Sequence, residues 1–187
     1  MIHNNISILK NGHLGFSGVD VVDLANKYGT PLYLIDENRI RENCRRYRAT
    51  VEKYFGAESL PLFASKALCY KDIYRIVNSE GLGIDVVSGG ELYTALSVGF
   101  PSEKIYFHGN NKTESEIKFA LDNRVGCLVV DNLEELDYLN IETANRGIKQ
   151  NILLRLSPGI DPHTHRAVVT GNVDSKFGSA IVTGQAE

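Results

Sequence analysis

From residue 31 to residue 156 the chain repeats one pattern, a short apolar run followed by an amphipathic stretch that opens on a capping signal, and this alternation confines it to folds built on a parallel sheet. The apolar runs fall at Leu32–Ile35 and Leu60–Ser65, and near 83–87, 104–108, 126–130 and 151–156. Between them, a long helix runs from a cap at Asp36 to about Tyr54, and further helical stretches are expected near 70–79, 90–98, 114–123 and 133–145. Ser88-Gly-Gly-Glu91, Thr113-Glu-Ser-Glu116 and Asp131-Asn-Leu-Glu134 each set a glutamate three residues after a small polar one, the spacing of a capping box. Two architectures satisfy such a pattern: an open doubly wound sheet and a closed (β/α)8 barrel. Upstream the texture differs. Ile6, Ile8, Leu14 and Phe16 flank Asn11-Gly12, a tight-hairpin signal, and Asp20 caps a short helix, Val21–Tyr28, closed by Gly29. The chain therefore reads as residues 1–30, a β-hairpin and short helix, and residues 31–187, the alternating part.

Polar residues stand at one end of the apolar runs. Lys66, Asp85, His108 and Arg155 lie at or near the C-terminal ends of the second, third, fourth and sixth, the edge that carries active sites in barrels and in open α/β sheets. Contributions from several strands favour the barrel. Only six strands can be counted, whereas a complete barrel has eight and usually runs to about 250 residues, so the expected fold is an incomplete TIM-type barrel. If the second strand stays extended, Leu62, Ala64 and Lys66 share a face, and the small Ala64 leaves room for a flat ligand beside the amine. A lone lysine there can equally mark a strand end that reaches water. Asp85 and Arg155 sit inside apolar runs, and because an isolated buried charge is costly, Lys66, Asp85 and Arg155 are expected to face one shared polar site. A lysine in a desolvated site condenses with carbonyls, which leaves two chemistries open: an aldolase-type attack on substrate, or a lysine holding pyridoxal phosphate.

Other candidates carry plainer readings. Asp131 reads as a helix cap. Ser88-Gly-Gly resembles an anion cradle at a helix N-terminus, but a capping serine followed by glycines in a close turn accounts for it as well. His163-Thr-His165 has no further ligands at metal spacing, so no metal is expected. Acidic residues number 23 against 20 basic ones, without a basic run, which excludes the electrostatic footprint of a nucleic-acid binder and favours a small-molecule substrate. No apolar run reaches membrane-spanning length and the start, Met-Ile-His-Asn-Asn, carries no targeting pattern, so a cytoplasmic location without membrane contact is expected. Cys44, Cys69 and Cys127, odd in number and widely spaced, suit reduced thiols.

Five segments taken in order, Phe63-Ala-Ser-Lys-Ala67, Gly83-Ile-Asp-Val-Val-Ser-Gly-Gly-Glu-Leu-Tyr93, Phe107-His-Gly-Asn-Asn-Lys112, Asp161-Pro-His-Thr-His165 and Asp174-Ser-Lys-Phe-Gly178, closely resemble the diaminopimelate decarboxylases, pyridoxal-phosphate enzymes with an alanine-racemase-like barrel. The resemblance implies that Lys66 is the Schiff-base lysine, that Asp85, Arg155 and His108 bind the cofactor pyridoxal 5′-phosphate, and that the reaction is decarboxylation of meso-2,6-diaminopimelate to L-lysine in lysine biosynthesis. It implies a homodimer at full length, and a separate β-domain to which the N-terminal hairpin belongs. It also implies that the phosphate-binding loop, the glutamate at the pyridine nitrogen, a ring-stacking histidine and a partner-subunit cysteine lie beyond residue 187, so that the 187 residues alone are expected to be an inactive N-terminal fragment. The rival expectations are a non-catalytic pyridoxal-phosphate carrier and a truncated folding unit without cofactor.

Overall fold

Asn11-Gly12 turns the chain back on itself as its composition requires, in a computed structural model that describes residues 4–159 and 177–181. Strand β1 (Ile6–Ile8) pairs antiparallel with β2 (Leu14–Phe16), Ile8 opposite Leu14, and Gly12 takes a φ of +80°, open to glycine at little cost. Strand β3 (Val19–Asp20) adds to β2. Asp20 then caps helix α1 (Val21–Tyr28), accepting the Val22 amide at 2.9 Å, and also accepts from the Asn11 side chain at 2.8 Å, so one carboxylate ties the hairpin turn to the helix start. Asp36 plays the same part for helix α2 (Glu37–Phe55), accepting from the Arg39 amide at 3.1 Å and the Asn5 side chain at 3.0 Å. The chain forms two compact units, Met1–Asn43 and Cys44–Glu187, with α2 beginning in the first and ending in the second.

The second unit contains the parallel sheet. Strands β4 (Leu62–Ala64), β5 (Gly83–Val86), β6 (Ile105–Phe107), β7 (Cys127–Val130) and β8 (Ile152–Leu154) pair in that order, all parallel. They are connected by helices α3 (Lys71–Ser79), α4 (Gly89–Leu96), α5 (Glu114–Asp122) and α6 (Leu133–Arg146). Each strand neighbours the next in sequence with no reversal of order, which is the barrel arrangement and not that of a doubly wound sheet with its switch point. Five strands rather than six make the sheet: Leu32–Ile35, expected as a strand, joins no ladder among the described residues, and Leu32, Tyr33 and Ile35 remain exposed. An apolar run identifies a strand only when a neighbour is present to take its backbone groups. After Leu154 the extended chain continues past Arg155 as β9 (Leu156–Ser157), which pairs in parallel with β10 (Ser179–Ala180).

Alternation along the strands separates two environments. Ile84, Val86, Ile105, Phe107 and Leu128 are fully buried, and with Ile73, Tyr74, Val77, Leu92 and Ala120 from the helices they form the core. On the opposite face Ala64, Asp85 and Tyr106 lie side by side in register, so the sheet directs a carboxylate away from its apolar core. Gly83 permits this register, because a Cβ there would meet the Lys104 carbonyl oxygen at 2.6 Å. The capping boxes are realised unevenly. Thr113 and Glu116 form a full one at α5; Ser88 caps α4 through the Glu91 amide; α6 starts one residue later than the spacing suggests, capped by Asn132 through the Glu135 amide at 2.8 Å.

Candidate active site

Lys66 is presented differently from the extended-strand expectation. Strand β4 ends at Ala64, and Ser65–Ala67 form a single 3-10 turn that carries the lysine out to solvent, while Ser65 is fully buried beneath it. The alternation that would align Leu62, Ala64 and Lys66 is therefore broken one residue before the amine. Ala64 still neighbours Asp85 across the ladder.

Asp85 is half-buried and its Oδ1 atom is inaccessible and without a hydrogen-bond partner among the described residues. The His108 Nε2 atom lies 3.8 Å from that oxygen, beyond hydrogen-bond reach. Burial pushes the Asp85 carboxyl above the ordinary aspartate range, against the pull of His108, Lys66 and Arg155. Burial likewise pushes His108 down, and Arg155, Lys112 and Lys66 add to this while Asp85 opposes it. The balance favours the uncharged imidazole. Asp85 and His108 each feel Lys66 and Arg155, and the four stand at or near the C-terminal ends of four strands.

The pairing inside this group departs from the expected one. Arg155 binds Asp131, not Asp85: its Nη1 lies 3.1 Å from Asp131 Oδ1, and its guanidinium carbon sits 4.2 Å over the Phe177 ring. Asp131 is buried and does not cap α6; its other carboxylate oxygen accepts the Gly178 amide at 3.0 Å. Gly178 takes a φ of +70°, and a Cβ there would press on the Arg155 carbonyl oxygen at 2.7 Å, so glycine is required where the chain crosses Arg155. Beneath this pair lies a second that composition did not single out. Lys112, nearly inaccessible, reaches Glu135 at 2.9 Å and donates to the carbonyls of Gly109 at 2.7 Å and Val129 at 2.8 Å. Glu135 in turn accepts the Asp131 amide at 3.2 Å. Removing one partner of such a buried pair costs about 3–5 kcal/mol. Asp131 follows the fifth apolar run, so the strand-end rule that selects Lys66, Asp85, His108 and Arg155 selects it too; Lys112 and Glu135 give no comparable sequence signal.

Three amides at the start of α4 are already engaged within the protein. Gly89 donates to Glu116 Oε1 at 2.7 Å, Val87 to Glu91 at 2.7 Å and Glu91 to Ser88. Burial works against the Glu116 charge, yet the amides of Thr113 and Gly89 outweigh it and hold its carboxyl below the usual range. Ser88-Gly-Gly is therefore a cap and a close turn. All three cysteines are free thiols, Cys69 exposed and the other two buried. His163 and His165 lie outside the described residues, as do the segments around Asp161 and Asp174.

These side chains suit a flat aldehyde cofactor that bears polar groups. The amine of Lys66 is exposed, as a group that condenses with an aldehyde must be. An inaccessible, unpartnered carboxylate oxygen and an uncharged imidazole supply acceptors nearby, and the small Ala64 narrows nothing.

A profile of the family described as pyridoxal-dependent decarboxylase, pyridoxal binding domain, matches residues 37–187. The chain is 48% identical over 185 residues to the diaminopimelate decarboxylase of Bacillus methanolicus, an alignment that covers 99% of this chain and 43% of that protein. With the diaminopimelate decarboxylase of Bacillus subtilis strain 168 it shares 44% identity over 186 residues, 100% of this chain and 42% of that one. The crystal structure of diaminopimelate decarboxylase from M. jannaschii in complex with L-lysine superposes with a TM-score of 0.85 at 35% identity, over 98% of this chain and 43% of the other. The chain thus spans less than half the length of the relatives it matches.

Proposed function

This chain belongs to the pyridoxal-dependent decarboxylases, with pyridoxal phosphate as its cofactor, and from that premise we propose that it is the N-terminal part of a carboxy-lyase that converts meso-2,6-diaminopimelate to L-lysine. Lys66 is the residue that would hold the cofactor covalently, and Asp85, His108 and Arg155 would line its polar edge. When bound, pyridoxal phosphate supplies the electron sink for the pair released as the carboxylate leaves. The chain's own residues do the rest: Lys66 provides the amine, neutral His108 offers an uncharged face, and Asp85 presents an acceptor oxygen that nothing else described engages. Residues 1–30 belong to the second, β-rich domain of the full-length protein, which acts as a cytoplasmic homodimer. Among the described residues no helix is long and apolar enough to cross a membrane. Because residues 1–187 span about two fifths of their relatives, they are expected to release no carbon dioxide on their own.

The observation that carries this reading is the convergence of Lys66 and the unpartnered Asp85 oxygen at neighbouring strand ends. In the full-length protein, borohydride reduction in the presence of pyridoxal phosphate should fix the cofactor to Lys66, with carbon dioxide released from meso-diaminopimelate and not from L-ornithine. Labelling at Lys112, whose amine is already committed to Glu135 and two carbonyls, or at Lys71 would overturn it.

A further inference from the structure

Arg155 is aimed by a chain of contacts that begins far from it in sequence. The Lys112–Glu135 ion pair ties the loop after β6 to the first turn of α6 and, through the Val129 carbonyl, to β7. Glu135 takes the Asp131 amide, which fixes the exit of β7. Asp131 is left with both carboxylate oxygens directed outward, one to the guanidinium of Arg155 and one to the Gly178 amide, while Phe177 closes on the guanidinium face. The guanidinium is held through one nitrogen by Asp131 and on one face by Phe177, and stacking on a ring while donating in its own plane suits planar arginine. The four charges balance as two ion pairs, Lys112 with Glu135 and Asp131 with Arg155. Among the described residues none of the four hydrogen-bonds Lys66 or Asp85, yet Arg155 acts on both Asp85 and His108.

We propose that Asp131, braced by the buried Lys112–Glu135 pair, is a positioning residue that directs Arg155 toward the cofactor, a role that rests on the reading of the strand-end cluster as the pyridoxal-phosphate site. Outer partners of metal ligands change metal affinity by about 10–100-fold when removed, and the lower end of that range sets the scale expected for an orienting carboxylate here.

The test is a double-mutant cycle in the full-length protein, read as the dissociation constant of pyridoxal phosphate from an absorbance titration, beside the melting temperature of the cofactor-free form. Asp131→Asn should weaken cofactor binding about tenfold and lose that effect in an Arg155→Gln background, because Asp131 acts only through Arg155. Glu135→Gln keeps the volume and the acceptor for the Asp131 amide, and should weaken binding in the same direction by a smaller factor, which keeps the proposal testable if Asp131→Asn does not fold. A cofactor affinity unchanged in both variants, or penalties that simply add in the Arg155→Gln background, overturns it. Failure of the unaltered protein to take up the cofactor at Lys66 overturns the site reading itself, a result distinct from normal uptake with unaffected variants.

Discussion

At Asp85 burial and charge oppose one another: an oxygen withdrawn from water has no donor among the described residues, and the neighbouring imidazole is itself driven to its neutral form. Asp85→Asn removes a charge that the cofactor-free protein gains little from, so its urea-unfolding stability at pH 7 should equal or exceed that of the parent. The sign follows from the raised carboxyl. The cost of the charge is complete above the folded-state pKa and vanishes below the ordinary aspartate value, so the two proteins should converge as pH falls toward about 4. A loss of about 3–5 kcal/mol at pH 7 instead would mean that a buried cation depends on Asp85. The positions of Lys66, Asp85, His108 and Arg155, at or near the ends of apolar runs, were legible from sequence, and the structure keeps them at or just beyond the strands. Which of them pair was not legible. Asp131 ends a run by the same rule, but its spacing to Glu134 imitates a cap, and a contact between residues 24 positions apart leaves no trace in local periodicity.

Helix starts were read well where the cap and its glutamate lie on one helix, as at Thr113, and shifted by one at α6, where two adjacent polar residues, Asp131 and Asn132, compete for the same place. The strand turns that residue inward to Arg155, and the cap passes to Asn132. The two roles separate experimentally. Asn132→Ala should lower global stability by about 1 kcal/mol in denaturant unfolding, the usual value of a lost cap, and leave pyridoxal-phosphate affinity unchanged; a fall in affinity as large as that of Asp131→Asn would place Asn132 among the positioning residues. Lys66 shows the other limit of element reading. A three-residue strand is too short for alternation to predict where its end turns, and the buried Ser65 bends the chain before the lysine.

The two compact units differ in what holds them. Residues 4–43 contribute none of the buried apolar side chains and rely on carboxylates: Asn11 chiefly, with His13 and the Val22 and Asp23 amides, lowers Asp20 to about 2 despite some desolvation, and Ser17, Asn5 and the Arg39 amide hold Asp36 below its usual range. Both groups are depressed on folding, so their contribution is complete above about pH 4 and is lost at lower pH, that of Asp20 as pH falls toward about 2. Amide hydrogen exchange in β1–β3 and α1 should accelerate over that interval, and an Asp20→Asn, Asp36→Asn variant should show the faster exchange already at pH 5 with no further acid response; an identical acid profile in parent and variant would show that other groups govern this unit. In the larger unit, Glu116 closes its own helix, α5, and also receives the first amide of α4. Neighbouring βα units are therefore stitched by a shared carboxylate and are not interchangeable modules: a crossover between residues 97 and 113 would draw the two sides of this contact from different parents, and recombination between relatives should preserve residues 89 and 116 as a set.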